Sequence, residues 1–272
     1  MNGLSRGINS TPPVLKNIII INILLFLATE VLTKFGVNLT QYLALYYPGS
    51  EYFRPHQLIT HMFMHAGWAH LFFNMFGLWM FGKILEQVWG SKRFMIYFFA
   101  TGLGAAALHL LVNYFMISHA MGEYKAMLNT LSPETFDAFI RSNFSEYYGA
   151  LNQELTDKWY SNPGSAQLAA DAQGVAKLLM DRMINIPTVG ASGAVFGVLL
   201  GFGMLFPNTE IMLLFPPIPM KAKYFVMGYG AIELYLGISQ PGSNVAHFAH
   251  LGGMIFGFLL IKYWNKKTTT FY

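Results

Sequence analysis

The stretch VGASGAVFG, Val189–Gly197, places one serine between two glycines where an apolar helix is predicted to begin. Ser192 offers a hydroxyl that becomes a nucleophile when a neighbouring base removes its proton. Gly190 and Gly193 leave room for another helix backbone to come close. A serine at a helix N-terminus is equally suited to capping that helix. The stretch by itself therefore leaves a catalytic role and a capping role open.

Histidines supply the candidate base and the candidate donors. Six of the eight lie in two clusters, HQLITHMFMHAGWAHLFFN over 56–74 and NVAHFAHLGG over 244–253. His250 offers an imidazole, whose unperturbed pKa of about 6.5 suits a base near pH 7. His70 and Asn74 are four residues apart, so they project from one helix face. They could stabilise an oxyanion, together with the backbone N–H groups of Ala191 and Ser192.

These groups are the parts that a serine hydrolase needs. No Asp or Glu is expected close enough to His250 to orient it, so the pattern predicts a Ser192–His250 dyad rather than a triad. GASGA does not match the G-x-S-x-G elbow because position 194 is Ala, which argues against an α/β-hydrolase.

Metal binding is the alternative use of the histidines. His247 and His250 are three residues apart, and His61 and His65 are four apart, which are spacings that metal ligands use. Against this, cysteine is absent, no HExxH motif occurs, and no inward-facing carboxylate is expected to complete a site. We therefore predict no metal and no cofactor.

The elements that position these residues are predicted to lie in a bilayer. Only 11% of the residues are charged and 54% are hydrophobic, against roughly 25% charged in soluble domains. Nucleic-acid binding is not supported, because no basic patch interleaves with aromatic residues. Six apolar stretches approach the length of about 17–25 residues that a membrane span needs. They are Val14–Val31, Ala69–Ile84, Phe94–Ile117, Ala191–Phe206, Ala222–Ile238 and Val245–Trp264.

Lysine and arginine predict how these spans are oriented, because both are enriched on the cytoplasmic side. With six spans, the short basic segments all fall on one side, and we assign both termini to the cytoplasm. These segments contain Arg6, Lys16, Lys83, Lys92, Arg93, Lys221, Lys223, Lys262, Lys266 and Lys267. Residues 118–187 form an insertion that carries five basic and eight acidic residues. We expect this insertion to be polar, partly helical and extracytoplasmic, with one helix capped by Ser132.

This orientation places the candidate catalytic side chains at the same depth in the membrane. Spans two, four and six then all enter from the outer side, and His70, Ser192 and His250 lie near their starts. Glycines recur every four residues on span four (Gly193, Gly197, Gly201) and span six (Gly253, Gly257). Small residues at that spacing let helices pack closely in lipid, which a side chain as short as serine needs in order to reach another helix.

The combination of HMFMHAGWAHLFFNMFGLWMFG, GASGAVFG and AHFAHLGGMIFG resembles the rhomboid intramembrane serine proteases. The resemblance covers nearly the whole chain apart from the insertion. It implies an all-α membrane protein, a bundle of six transmembrane helices, with 1–272 as a single rhomboid domain into which 118–187 is inserted. The match looks like a bacterial member, which implies a multi-pass protein of the bacterial cytoplasmic (inner) membrane.

The resemblance also implies roles for individual residues. Ser192 would be the nucleophile and His250 the general base, and His70, Asn74, Ala191 and Ser192 would form the oxyanion hole. Supporting positions would be Gly190, Gly193, Phe196, His247, Gly253 and Gly257. Phe196 stands where family members often have a tyrosine stacked on the catalytic histidine. His61 and His65 match positions that shape the first loop, and Glu86 and Gly90 match structural positions after span two.

The implied reaction is hydrolysis of peptide bonds in transmembrane protein substrates, near the outer leaflet. The implied partners are those substrates and the lipid bilayer. Two rival functions stay open. One is an inactive relative that binds membrane helices, although such relatives lose the serine or the histidine. The other is an unrelated transporter or metal-handling protein that uses the histidine clusters.

Overall fold

The computed structural model describes residues 11–212, 217–239 and 246–267. The chain ends, 1–10 and 268–272, on which part of the predicted topology rests, lie outside this range. The helices are α1 (Pro13–Lys34), α2 (Leu39–Leu43), α3 (Gln57–Thr60), α4 (Trp68–Asn129), α5 (Pro133–Asn143), α6 (Ser145–Leu151), α7 (Asp157–Ser161), α8 (Ala166–Ile184), α9 (Ser192–Leu205), α10 (Ala222–Ser239) and α11 (His247–Lys267). The antiparallel pair β1 (Glu210–Met212) and β2 (Pro219–Lys221) holds Glu210 opposite Lys221. The all-α fold is confirmed.

The long helix α4 is two helices joined at Gly90. This glycine has φ 76° and ψ 160°, a backbone conformation that residues with a Cβ rarely adopt. The two sides of Gly90 contain the predicted spans two and three. The second side continues to Asn129, well beyond the predicted end at Ile117, because the first strong helix-breaking sequence is Ser132–Pro133. The helix therefore runs into the predicted insertion.

Two of the described helices are long and apolar enough to cross a membrane, α1 and α4, and α9 is a shorter apolar helix. Large apolar side chains on the helices also point outward. Leu24 is 60% exposed, Phe73 62% and Leu259 55%. Water-soluble proteins rarely leave large apolar patches uncovered, so these faces suit contact with lipid.

The chain divides into two compact units. The first comprises Met1–Leu45, Arg54–Leu110 and Pro187–Tyr272, and the second comprises Tyr46–Phe53 and Leu111–Ile186. All of the predicted site residues belong to the first unit. Its core joins α1, α4, α9, α10 and α11 through buried side chains that include Leu15, Leu78, Phe98, Val198 and Val226.

The second unit has a hydrophobic core of its own. Phe136, Phe139, Trp159, Ala172 and Met180 are buried in it. Its helix α5 begins with the predicted cap: Ser132 Oγ accepts the N–H of Thr135, and Thr135 Oγ1 accepts the N–H of Ser132. This reciprocal pair satisfies two backbone donors at the helix start.

Glu86 caps the beginning of α1. Pro12, the N-cap residue, has no side chain that could accept the first free N–H groups. The buried carboxylate of Glu86 accepts them instead, from Val14 at 3.0 Å and Leu15 at 2.7 Å. Ser91 Oγ donates a third bond to Oε1 at 2.7 Å. One side chain at the end of span two therefore fixes where span one begins.

Replacing Glu86 is expected to destabilise the fold without touching the site. Glu86→Ala removes the acceptor for three donors, and we expect the free energy of unfolding to fall by about 2–4 kcal/mol. Glu86→Gln keeps one acceptor oxygen and should lose less. Unfolding in mixed detergent–SDS micelles measures both, with Glu30→Gln, an exposed carboxylate on α1, as the control. Equal stability of Glu86→Ala and wild type would contradict the capping role.

Candidate active site

The segment that leads into Ser192 is pinned by backbone hydrogen bonds. Leu45 and Thr188 exchange a pair, with N···O distances of 2.9 and 2.8 Å, and the N–H of Gly190 donates to the carbonyl of His61 at 2.9 Å. Gly190 has φ 124°, which glycine tolerates and other residues rarely do. The backbone is therefore fixed immediately before α9 begins at Ser192.

Ser192 does not cap its helix. The N-cap position is Ala191, and no side chain makes a capping bond there. The Oγ of Ser192 lies instead 2.9 Å from Nε2 of His250, which is within hydrogen-bonding distance. The capping interpretation of this serine is therefore wrong, and the structure brings together the two residues that the sequence predicts as nucleophile and base.

Phe196 holds the imidazole of His250 from one side. The two rings are stacked, with centroids 4.2 Å apart and planes 6° from parallel. Phe196 follows Ser192 by one helical turn, so the helix that carries the hydroxyl also carries the ring on which His250 stacks. Tyr229 of α10 packs on Phe196 in turn, at 5.3 Å between centroids.

Glycines let α9, α11 and α4 come this close. A Cβ on Gly253 would lie 1.8 Å from the carbonyl oxygen of Gly193, and a Cβ on Gly193 would lie 2.3 Å from the Cβ of Ala105. A Cβ on Gly257 would lie 2.5 Å from the hydroxyl oxygen of Tyr97. That hydroxyl donates to the carbonyl of Gly197 at 2.8 Å. The predicted glycine faces do meet, and at Gly253 the approach leaves no room for a methyl group.

A carboxylate that was not predicted from the sequence contacts Nδ1 of His250, the ring nitrogen that does not face Ser192. Oε2 of Glu233, on α10, is 2.9 Å from Nδ1 of His250 and 2.7 Å from Nδ1 of His247. All three residues are buried. The expectation that no Asp or Glu lies near His250 is therefore wrong. A lone carboxylate in an otherwise apolar span was the available signal, because ionisable groups in spans are costly and tend to be functional.

Within the described residues, the same three side chains form a group that could hold a metal ion. Their ligand atoms all lie within 4.8 Å of one another. The expectation that no carboxylate completes a site is thus also wrong, since Glu233 provides one. Nδ1 of His247 and Nδ1 of His250 are both hydrogen-bonded to Oε2 of Glu233, at the ordinary distances of 2.7 and 2.9 Å.

His70 and Asn74 lie on one face of α4, as predicted. The amide of Asn74 donates to the carbonyl of His70 at 2.9 Å, which uses one of its two hydrogens. Nδ1 of His70 accepts the N–H of Ala66 at 3.3 Å, so the ring carries its proton on Nε2. A Cβ added to Gly190 would lie 2.8 Å from this Nε2 and 3.6 Å from Oγ of Ser192. Nε2–H of His70 and Oγ of Ser192 therefore both line the space beside Gly190.

A small cavity of about 20 Å³ lies beside Ser192, which is room for roughly one water molecule. Its polar lining includes Ser192, His61, His109 and Thr188. Nε2 of His109 and Oγ1 of Thr188 are 2.8 Å apart. His109, scattered in the sequence away from both clusters, is thus part of the wall of the site.

The first-loop histidines shape the surroundings of the serine. Burial lowers the pKa of His61 to about 4, so its ring is neutral at pH 7 and donates from Nδ1 to the carbonyl of Gln57 at 2.7 Å. His65 is buried with its ring 5.0 Å from that of His70. Both residues lie where they support His70 and the segment before Ser192.

Comparison with known proteins gives a consistent result. The family model described as Rhomboid domain matches residues 52–129 and 166–266. RHOMBOID-like protein 12, mitochondrial, of Arabidopsis thaliana is 25% identical over 202 residues, 74% of this chain and 44% of that protein. Rhomboid protein 1, mitochondrial, of Saccharomyces cerevisiae is 28% identical over 209 residues, 77% of this chain and 42% of that protein. Rhomboid protease GluP of Bacillus subtilis is 30% identical over 103 residues, which are 38% of this chain and 19% of that protein.

The matched region spans less than half the length of each of these relatives. The family model, however, covers more than half of this chain and includes both Ser192 and His250. The chain therefore belongs to the rhomboid family of membrane-embedded proteins, the family that its serine and histidine motifs resemble.

Proposed function

We propose that this chain is an intramembrane serine endopeptidase that cleaves transmembrane segments of other membrane proteins near the outer leaflet. The observation that carries the proposal is the 2.9 Å contact between Oγ of Ser192 and Nε2 of His250. A serine hydroxyl within hydrogen-bonding reach of an oriented imidazole is the arrangement that nucleophilic acyl transfer requires. Membership of the rhomboid family supports the same reaction.

The residues divide the chemistry between them. His250 accepts the proton of Ser192 while Oγ attacks the peptide carbonyl, and it then gives that proton to the leaving amine. The oxyanion accepts hydrogen bonds from Nε2–H of His70, from the second amide hydrogen of Asn74, and from the backbone N–H groups at the start of α9. A water molecule, deprotonated by His250, then attacks the acyl-enzyme and releases the second product. The cavity beside Ser192 has room for that water.

The bilayer setting constrains the substrate. A transmembrane helix keeps its carbonyl groups in internal hydrogen bonds, so it must unwind locally before Ser192 can reach one. Segments that contain Gly or Pro, with a small residue at the cleaved bond, should therefore be preferred. The lining of the site, with Gly190, Ala246 and Ala249 among its small residues, suits the same preference.

The topology belongs to the same proposal. Six spans with both termini in the cytoplasm place Ser192, His70 and His250 just below the outer surface. The basic residues of the short connecting segments support this orientation. We assign residues 1–272 to one rhomboid domain with an extracytoplasmic insertion at 118–187, in a bacterial cytoplasmic membrane. The relatives named above include two mitochondrial proteins and one from a bacterium.

Labelling of the purified wild-type protein tests the proposed function. A fluorophosphonate reacts with activated serines, and we expect it to label one peptide, the one that contains Ser192, as read by mass spectrometry. The same preparation should cleave a single-span substrate with a Gly-containing transmembrane segment and leave one with a poly-Leu segment intact. A folded protein that neither reacts nor cleaves would favour a helix-binding relative without catalytic activity.

A further inference from the structure

We propose that Glu233 is a positioning residue for His250. Its carboxylate accepts hydrogen bonds from Nδ1–H of both His250 and His247. This holds the catalytic imidazole with its unprotonated Nε2 towards Ser192. The proposal rests on the proposed function, because it assigns a role within the same reaction. It replaces the predicted dyad by a chain of Glu233, His250 and Ser192, with His247 as a second donor to the carboxylate.

The position of Glu233 requires partners for its charge. The residue is 6% exposed and sits in α10, a helix of mostly apolar residues. A carboxylate in such surroundings is costly unless it is paired and hydrogen-bonded. The donors both come from α11, and both contact the same oxygen, Oε2, at 2.7 and 2.9 Å.

The carboxylate decides which ring nitrogen of His250 carries the proton. An ionised carboxylate only accepts hydrogen bonds, so each Nδ1 that contacts it must be a donor. His250 in its neutral form then has no proton on Nε2, the atom 2.9 Å from Oγ of Ser192. This is the tautomer that a general base needs. When Nε2 takes the proton of Ser192, the resulting imidazolium faces a negative charge at 2.9 Å, while the carboxylate itself remains ionised.

The packing of α10 keeps Glu233 in register with His250. Tyr229, Glu233 and Gly237 are four residues apart and share one helix face. Tyr229 packs on Phe196, the platform for His250, at 5.3 Å. A Cβ on Gly237 would lie 3.3 Å from Cβ of His247. Contacts one turn before and one turn after Glu233 thus hold the helix against the site.

His247 completes the arrangement from the other side. Its Nδ1–H holds Oε2 at 2.7 Å, and it lies one turn before His250 on α11. Glutamine at 233 could place its one carbonyl oxygen where Oε2 accepts both Nδ1–H groups, but it carries no negative charge to face the imidazolium. An amide that donates to Nδ1 of His250 would move the ring proton to Nε2 and remove the base.

The test compares wild type with Glu233→Gln and Glu233→Asp, all purified in detergent and checked for folding by thermal melting. Two quantities are measured: the rate of fluorophosphonate labelling at Ser192, and kcat and KM on a transmembrane substrate. We expect Glu233→Gln to lower kcat and the labelling rate by about 10²-fold, with KM within about twofold. Labelling needs a reactive serine and no docked helix, so a role in substrate docking alone would leave the labelling rate unchanged.

The second variant and the controls sharpen the result. Glu233→Asp keeps the charge on a side chain shorter by one CH₂, and we expect about tenfold more labelling than with Glu233→Gln. His247→Ala leaves the bond from His250 to Glu233 in place, so its loss should stay within about tenfold. Glu30→Gln removes an exposed carboxylate from α1 and should match wild type.

Several outcomes would overturn the assignment. Folded Glu233→Gln that labels at the wild-type rate would do so, as would Glu233→Asp that labels no faster than Glu233→Gln, or a defect confined to KM. So would wild-type activity that EDTA abolishes and Zn²⁺ restores, since Glu233, His247 and His250 would then be metal ligands. A wild type that neither labels nor cleaves overturns the proposed function and this assignment together, whereas an active wild type with an unimpaired Gln variant overturns this assignment alone.

Discussion

Ser192→Ala and His250→Ala are each expected to reduce kcat by about 10⁵-fold or more, to the background of the assay. In the proposed mechanism the hydroxyl and the imidazole act as one unit, because Oγ attacks only as Nε2, 2.9 Å away, removes its proton. The double variant should therefore be no worse than either single variant. Cleavage of a transmembrane substrate in detergent and fluorophosphonate labelling measure the two losses on the same preparations.

His247→Ala is the matched control for His250. Both histidines lie on α11 and both contact Oε2 of Glu233, but only His250 reaches Ser192. A loss limited to about tenfold in His247→Ala, beside complete loss in His250→Ala, assigns the base to position 250. The reverse order would move the base one helical turn and contradict the geometry. Activity that survives Ser192→Ala but requires a divalent ion would instead support a metal-handling protein.

The contact between Ser192 and His250 could be predicted from the sequence because glycines recur beside both residues and indicate that their helices pack closely. Gly193 follows the serine, Gly253 follows the histidine, and only glycines allow the approach that the structure shows between them. The apolar stretches also located α1, α9, α10 and α11 to within about three residues, since an apolar segment of membrane length has few other ways to satisfy its backbone.

Glu233 was missed because its partners depend on how helices rotate against one another. A carboxylate on an apolar span was visible in the sequence, but the face of α10 that meets α11 is set by packing such as that of Gly237 against His247. Residue spacing along the chain does not predict that Glu233 on α10 contacts His247 and His250 on α11. His109 beside Thr188 was missed for the same reason, because residues 79 positions apart meet only in the fold.

The end of span three shows a different limit. Hydropathy marks where a helix leaves an apolar environment, but it does not mark where the helix stops. The prediction ended the span at Ile117, yet α4 continues to Asn129, because the polar residues after Ile117 are compatible with a helix. The reliable stop was local: Ser132 and Pro133 begin the next helix with a reciprocal cap.

Gly253→Ala is expected to abolish measurable activity although residue 253 takes no part in the chemistry. The new Cβ would lie 1.8 Å from the carbonyl oxygen of Gly193, a rigid backbone atom that no side-chain rotation can remove. Relief requires α9 and α11 to separate by more than about 1 Å, which would stretch the Ser192–His250 hydrogen bond beyond bonding distance. A displacement of that size lowers kcat by about 10²-fold by itself. The proposed oxyanion donors at the start of α9 would also move away from the substrate. We therefore expect a fall in kcat of about 10³-fold or more.

The control is a glycine in an open position. Gly228 lies on α10 with nothing within 4 Å of an added Cβ, so Gly228→Ala should keep both activity and melting temperature. Gly253→Ala should melt at a lower temperature, because overpacking costs about 1–3 kcal/mol or more. A Gly253→Ala protein that cleaves at the wild-type rate would mean that the helices tolerate a gap of an ångström between nucleophile and base. Loss of activity in Gly253→Ala, beside full activity in Gly228→Ala, would instead show that the serine reacts only because two helix backbones touch.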